Sequence, residues 1–143
     1  MAYYRSQIDN PLNSSLDGLE SALKQVSDLI KNGKATILLA GDFNCPGIDW
    51  GTLCPGSKVV GISEKLIKIS IEYGLTQHQK DPTKLDALLD LFFTNNESLV
   101  SSIKTTPGIS IANEHEAIVV DLSLRAELCK TAPHKVYLWS KVN

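Results

Sequence analysis

Two polar side chains follow an apolar run near the middle of the chain. The run is "ILLAG", residues 37–41, and Asp42, Phe43 and Asn44 come directly after it. In an extended chain, residues two apart point to the same side, so Asp42 and Asn44 share one face. This pattern is typical of an Asx turn that ends a strand, and equally of polar groups at the edge of an active site.

A second apolar run contains an acid. Asp90 lies within "LLDLFF", residues 88–93, where a carboxylate is costly unless it is paired or hydrogen-bonded. His115 opens the run "EAIVV" and can be its partner, since a carboxylate behind a histidine fixes the tautomer and raises the basicity. Considered alone, Asp90 is also consistent with a solvated edge residue, and His115 with a surface histidine. Their joint placement at strand ends favours a site, because open sheets bind ligands there.

The bulk composition sets limits on the class of protein. The 143 residues suit one domain, 43% are hydrophobic and 21% charged, and the formal charge is −2. Such a charge argues against gripping nucleic acid by bulk electrostatics, so any phosphate contact must come from a local site. Three cysteines without CxxC spacing (Cys45, Cys54 and Cys129) indicate reduced thiols in an intracellular protein. We find no signal peptide and no apolar run of membrane-spanning length.

The periodicity predicts helices packed on a mixed sheet, an α/β fold. A one-sided helix is expected over 14–32, with Leu16, Leu19, Leu23, Val26 and Ile30 facing the core, Ser14 and Asp17 at its start and Gly33 as its stop. A second helix is expected over 63–74, capped by Ser63. Strands are predicted at 35–41, 75–79, 88–95, 98–106 and 116–124. We expect the strands at 35–41, 88–94 and 116–124 to share one sheet and to bring Asp42, Asn44, Asp90 and His115 to a common edge.

Three segments in sequence resemble a known superfamily. They are "LLAGDFNCPGIDW", "DPTK…LLDLFFTN" and "PGIS…NEHEAIVVDL", and together they resemble the endonuclease/exonuclease/phosphatase (DNase I-like) superfamily, in particular the endonuclease domain of LINE-type (non-LTR) retrotransposons. The resemblance implies the C-terminal portion of a four-layered α/β sandwich over residues 1–128. It also implies a tail over 129–143, containing "KVYLW", that is similar to the link toward a reverse transcriptase.

The resemblance also implies a role for each matching residue. Asp42 matches the aspartate that orients and deprotonates the attacking water, and Asn44 the amide that steadies it and touches the scissile phosphate. His115 matches the histidine that bonds a phosphate oxygen, and Asp90 the carboxylate that holds it. Three further positions match substrate contacts in the family: Tyr4 and, in the segment that faces DNA, Thr83 and Lys84.

A hard cation, Mg²⁺ or Mn²⁺, is the implied cofactor for phosphodiester hydrolysis. The family's principal metal-binding glutamate belongs to a strand upstream of "YYRS". The family's Ser-Asp-His reads Asn113-Glu114-His115 here, which makes Glu114 the candidate metal ligand, with a carboxylate displaced by about 1 Å. We therefore expect the chain, as given, to be a poor catalyst or none.

The function predicted from the resemblance is metal-dependent cleavage of DNA phosphodiester bonds. The implied partners are DNA and a reverse transcriptase domain in cis, the implied location is nuclear, and an open sheet face suggests self-association. Two alternatives stand beside this function. One is an inactive remnant that serves as a binding or interaction module. The other is a superfamily phosphatase or RNA exonuclease.

Overall fold

A computed structural model of the protein describes residues 2–4, 14–108 and 114–124. In chain order, a short strand is followed by two helices, and a third helix follows the second strand. In chain order the elements are β1 (Ala2–Tyr4), α1 (Ser14–Gln25), α2 (Ser27–Lys31), β2 (Leu38–Asp42), α3 (Val60–Glu72), β3 (Thr76–Gln77), β4 (Asp90–Thr94), a 3₁₀ turn (Glu97–Leu99), β5 (Val100–Thr106) and β6 (Ala117–Leu122). The mixture of helices and strands confirms the predicted α/β class.

Among the described residues, the larger sheet has four strands in the order β1-β2-β4-β3. β1 runs parallel to β2, whereas β4 pairs antiparallel with both β2 and β3. The register sets Asp42 opposite Asp90 at one end of the β2–β4 pair. The sheet is therefore mixed, as predicted, and two of the site residues are brought together by strand pairing alone.

One face of this sheet packs on the helices. Leu39 of β2 and Leu91 and Phe93 of β4 are each only 1% exposed, and they share a core cluster with Leu16 of α1 and Leu66 of α3. Alternation along the strands places Asp42 and Asp90 on the opposite face, away from the helices. The apolar positions of the sequence thus build a core that fixes β2 and β4, and the acids are left on the other side.

The expectation that the strand at 116–124 joins this sheet is wrong. β6 pairs antiparallel with β5 in a separate two-stranded sheet, from Val100 opposite Leu122 to Thr106 opposite Ala117. These two strands are neighbours in sequence, and such strands often pair with each other. The sequence pattern also places Ile118, Val120, Leu122 and Leu124 on one buried face, and this holds in part. Val120 and Leu122 are partly buried between exposed residues, whereas Leu124 is 61% exposed.

The first predicted helix is divided in two. The break falls at Val26, which is 37% exposed rather than in the core, and its N–H bonds the Leu23 carbonyl three residues back. β-Branched residues are weak helix formers, and this tight turn ends α1. Gly33, at φ 65°, stops α2 as predicted.

The second helix begins three residues earlier than predicted. It starts at Val60, and Ser63 is a fully buried residue within it rather than its cap; the Ser63 hydroxyl lies 3.5 Å from the Cys45 Sγ. The strand predicted from residue 35 begins at Leu38, because the Asn95 side chain bonds the Ile37 N–H and the Ala35 carbonyl.

None of the helices in residues 14–108 and 114–124 has the length and apolar character needed to cross a bilayer.

Candidate active site

Asp42 ends β2 and its side chain is held by the turn that follows. Its Oδ1 accepts the Asn44 main-chain N–H at 2.9 Å, and its Oδ2 accepts the Asn44 side-chain amide at 3.2 Å. Asn44 adopts φ 46°, a left-handed conformation that asparagine tolerates better than most residues, and it is buried. The Asx turn that the sequence suggests is therefore present, and it orients the Asp42 carboxylate at this end of the sheet.

Asp90 and His115 form the pair that the sequence predicts. The imidazole Nδ1 lies 2.8 Å from the Asp90 Oδ2, and both side chains are about three-quarters buried. His115 precedes β6, and its backbone forms an isolated bridge with Lys84, in the loop that leads into β4. A hydrogen on Nδ1 directed at Asp90 leaves Nε2 as the ring nitrogen that can meet a ligand.

The three groups converge on one small region. One ligand atom from each of Asp42, Asp90 and His115 lies within 4.8 Å of the others, although His115 comes from outside the four-stranded sheet. Burial is the largest influence on Asp42 and raises the pKa of its carboxyl. The hydrogen bond from the Asn44 N–H lowers this pKa, the Asp90 charge raises it, and the charges of His115 and Lys84 lower it.

The remaining predicted residues occupy different surroundings. Thr83 is fully buried, and its hydroxyl accepts two main-chain N–H groups, so it has no exposed surface with which to touch a substrate. The Lys84 side chain is about one-third exposed, and its Nζ lies 3.6 Å from a Glu114 carboxylate oxygen. Glu114 is thus placed on Lys84 and outside the Asp–His cluster. Tyr4 is the last residue of β1, and its backbone pairs with that of Asp42 in β2. The side chain of Tyr4 lies outside the part that the structure describes.

A groove of about 960 Å³ runs from Asn44 along the two loops that leave the strand ends. Its lining includes three lysines, Lys58, Lys80 and Lys84, and one acid, Asp86. The rest of the lining is largely apolar, including Pro46, Ile48, Pro82 and Leu88. On a chain of net charge −2, the lining of this groove therefore carries more positive than negative side chains. Asn44, which bonds Asp42, is in the lining, whereas Asp42, Asp90 and His115 are not.

Two of these lysines, Lys58 and Lys80, are not among the candidates that the sequence motifs indicate. Each lies in a loop adjoining one of the strand ends that carry the acids, residues 43–59 for Lys58 and 78–89 for Lys80. A search of these loops for cations would have found both residues.

The fold thus brings an amide-held aspartate and a carboxylate–imidazole pair to one end of the sheet, with lysines in the adjoining loops. The chain belongs to the endonuclease-reverse transcriptase family, whose model matches residues 1–122, and so to the endonuclease/exonuclease/phosphatase superfamily. This match confirms the superfamily predicted from the three sequence segments. No match was found among curated proteins or among solved structures.

Proposed function

We propose that this chain binds and hydrolyses phosphodiester bonds of DNA, as the endonuclease part of a LINE-type element whose polypeptide also carries a reverse transcriptase. The observation that supports this function most strongly is the convergence of Asp42, Asp90 and His115 within 4.8 Å. Membership of the endonuclease-reverse transcriptase family supports the reaction class. A genomic DNA substrate would place this activity in the nucleus.

In this proposal Asp42 is the base that orients and deprotonates the attacking water. The partial burial that raises its pKa makes its carboxylate a stronger base than an exposed aspartate. The two hydrogen bonds from Asn44 hold both carboxylate oxygens in one orientation, which reduces the entropy to be lost when water and phosphate align.

His115 stabilises the charge that develops on the phosphoryl oxygens. Asp90 receives the Nδ1 hydrogen, so a protonated ring presents Nε2–H toward the phosphate while Asp90 compensates its charge. Lys84 lines the groove beside this pair and supplies a second positive charge once its contact with Glu114 is released. The neutral Asn44 amide provides a further donor at the same edge.

Domains of this family generally act with a divalent metal ion. Within the described residues, one group of side chains could hold a metal, formed by Asp42, Asp90 and His115. Two carboxylates and waters suit Mg²⁺ or Mn²⁺, whereas the His115 ring, whose two N–H groups are directed at Asp90 and the phosphate in this proposal, would not be a ligand. The ion would neutralise phosphate charge. Since Asp90 and His115 already bond each other, we expect this set to hold the ion weakly and the chain alone to be a slow catalyst.

One feature of the surface supports DNA as the ligand. The lysine-lined groove offers local contacts to phosphates on a chain with a net negative charge. We propose that the two sheets form part of the four-layered α/β sandwich of the superfamily. We also propose that self-association uses the exposed positions of the smaller sheet, among which Val119 is 39% exposed.

Nicking of supercoiled plasmid by the purified chain, with Mg²⁺ or Mn²⁺, tests the reaction. We expect slow, metal-dependent nicking that falls by at least about a hundredfold in Asp42→Ala, because the base is removed. Asp49→Ala is the matched control: Asp49 also forms an Asx turn, accepting the Gly51 and Thr52 N–H groups, but it lies outside the cluster. Nicking that survives Asp42→Ala would contradict the proposed site.

Binding without turnover is the second candidate function. It is favoured by the placement of Glu114 on Lys84, since this carboxylate is then not a metal ligand. Fluorescence anisotropy with labelled DNA and RNA of the same sequence separates the cases. DNA binding that depends on Lys84 and is accompanied by no nicking in either metal would support the binding module. A preference for RNA would favour the RNA exonuclease alternative.

A further inference from the structure

Thr83 is a fully buried threonine whose hydroxyl fixes the start of β4. Its Oγ1 accepts the Asp90 N–H at 2.9 Å and the Leu89 N–H at 3.2 Å. Asp90 is the first residue of β4, so these bonds fix the position of its backbone and therefore the position of its carboxylate. Both acceptor positions of the hydroxyl are occupied within the fold, which leaves neither for a ligand.

The main chain of Thr83 makes a second set of links. Its carbonyl accepts the Glu116 N–H at 2.7 Å, and its own N–H bonds the Ala87 carbonyl at 2.9 Å. Glu116 is the residue after His115 and leads directly into β6. The adjacent residue, Lys84, forms a backbone bridge with His115 itself. One residue therefore links Asp90, in the four-stranded sheet, to the segment that carries His115 into the two-stranded sheet.

We propose that Thr83 is the positioning residue that sets the geometry of the Asp90–His115 pair, and that it does not contact the substrate. The catalytic part of this inference rests on the proposed function, because it assumes that the pair acts on phosphate. The geometric part does not. The pair joins two sheets that are not hydrogen-bonded as one, so its 2.8 Å separation depends on whatever fixes each partner, and Thr83 bonds both segments.

The test compares two buried threonines at opposite ends of β4. Thr83→Val removes the hydroxyl with little change of volume, and Thr83→Ser restores it. Thr94→Val is the matched control: Thr94 is also fully buried, and its Oγ1 accepts the Asn96 N–H at 3.1 Å, far from the cluster. Each variant is followed by its unfolding midpoint and by the ¹⁵N and ¹H NMR signals of the His115 ring, which report tautomer and hydrogen bonding.

We expect both valine variants to lower the unfolding midpoint, but only Thr83→Val to shift the His115 ring signals and to lose the Nδ1 proton resonance. Thr83→Ser should restore them. Nicking by Thr83→Val should fall by about tenfold to a hundredfold and be unchanged in Thr94→Val. If Thr83→Val left the His115 signals as in the unmodified chain, Thr83 would be merely structural and the proposal overturned.

The NMR readout is independent of catalysis. If nicking proves insensitive to Asp42, the proposed function fails, while a shifted His115 signal in Thr83→Val would still establish the positioning role. Should Thr83→Val not fold, amide hydrogen exchange of the unmodified chain decides. The amides of Leu89, Asp90 and Glu116 should then be protected and open together. Unprotected exchange at Glu116 would overturn the proposal.

Discussion

The strand that contains Asp90 and the strand that follows His115 differ in their pairing and in their burial. β4 lies inside the four-stranded sheet with partners on both sides, and four of its five residues are buried. β6 has a described strand partner on one side only, β5, and its residues alternate between partly buried and exposed. Two-stranded sheets are marginal by themselves, so β6 depends on its attachments to the rest of the molecule.

This difference separates the stability of the fold from the geometry of the site. The position of Asp90 follows from burial of its neighbours Leu91 and Phe93 in the core and from the bond of its N–H to the Thr83 hydroxyl. The position of His115 follows from polar links: its contact with Asp90, its bridge to Lys84, and the bond between the Glu116 N–H and the Thr83 carbonyl. The site can therefore lose its geometry through β6 while the core remains folded.

The largest effect should come from the core of the four-stranded sheet. Phe93 is 1% exposed and makes edge contacts with Phe43 and Trp50, with ring centroids 5.4 and 5.2 Å away. Phe93→Ala should lower the free energy of unfolding by about 3–5 kcal/mol, measured by urea denaturation, because it leaves a large cavity. Val119→Ala on β6 is the control, with an expected change within about 0.5 kcal/mol. Similar losses in both variants would contradict the contrast between the two regions.

The predictable parts of the site are the acids whose placement in or beside an apolar strand is energetically unfavourable. Asp42 and Asp90 were visible because acids at apolar strands need a reason, and the β2–β4 register then sets them opposite each other. His115 was found as the available partner for Asp90. Its strand was placed in the wrong sheet, since β6 could pair with either neighbour and its periodicity is the same in both cases.

Features that depend on distant contacts were not visible. The hydroxyl of Thr83 bonds residues six and seven positions away in a turn that no local periodicity predicts. The placement of Glu114 on Lys84 depends on a bridge between two loops. Propensity also favoured one helix over 14–32, whereas the tight turn at Val26 divided it.

A smaller effect should come from His78, which lies where the two regions meet. Its ring packs edge-on against Phe92 of β4, it shares a hollow with Ile103 of β5, and its Nε2 is buried without a described hydrogen-bond partner. Burial lowers the pKa of His78; Lys80 also lowers it, while Glu97 acts in the opposite direction. The unfolded chain therefore takes up a proton more readily than the folded chain.

The stability that neutral His78 contributes is fully present above its unfolded pKa of about 6.5 and is lost as the pH falls through the lower folded value. His78→Phe keeps the ring contact and removes this titration. It should exceed the unmodified chain in stability by about 1 kcal/mol in mild acid, and by less at alkaline pH. Urea denaturation at both pH values measures the difference. A gain that does not change with pH would exclude the titration of His78 as its source.

The smallest effect should come from Asp42, at the end of the four-stranded sheet. Burial raises the pKa of its carboxyl, so the folded chain binds this proton more readily than the unfolded chain. The associated stability is present at low pH and is lost as the pH rises through the folded pKa, which makes ionised Asp42 mildly destabilising at neutral pH. The thermal unfolding midpoint of Asp42→Asn, measured with a chelator present, should therefore rise relative to that of the unmodified chain as the pH goes from about 3 to about 8.

Asp49 supplies the matched control with the opposite sign. Hydrogen bonds from the Thr52 side chain and the Thr52 and Gly51 main chain lower the pKa of its exposed carboxyl. The stability that ionised Asp49 contributes is present above the unfolded pKa and is lost as the pH falls through the folded pKa. The unfolding midpoint of Asp49→Asn should therefore fall relative to that of the unmodified chain as the pH rises over the same range. Opposite slopes in two Asx-turn aspartates would show that burial at the site edge, and not the turn, perturbs Asp42. Parallel slopes would mean that Asp42 is as well solvated as Asp49, and the basicity assigned to it would lose its physical cause.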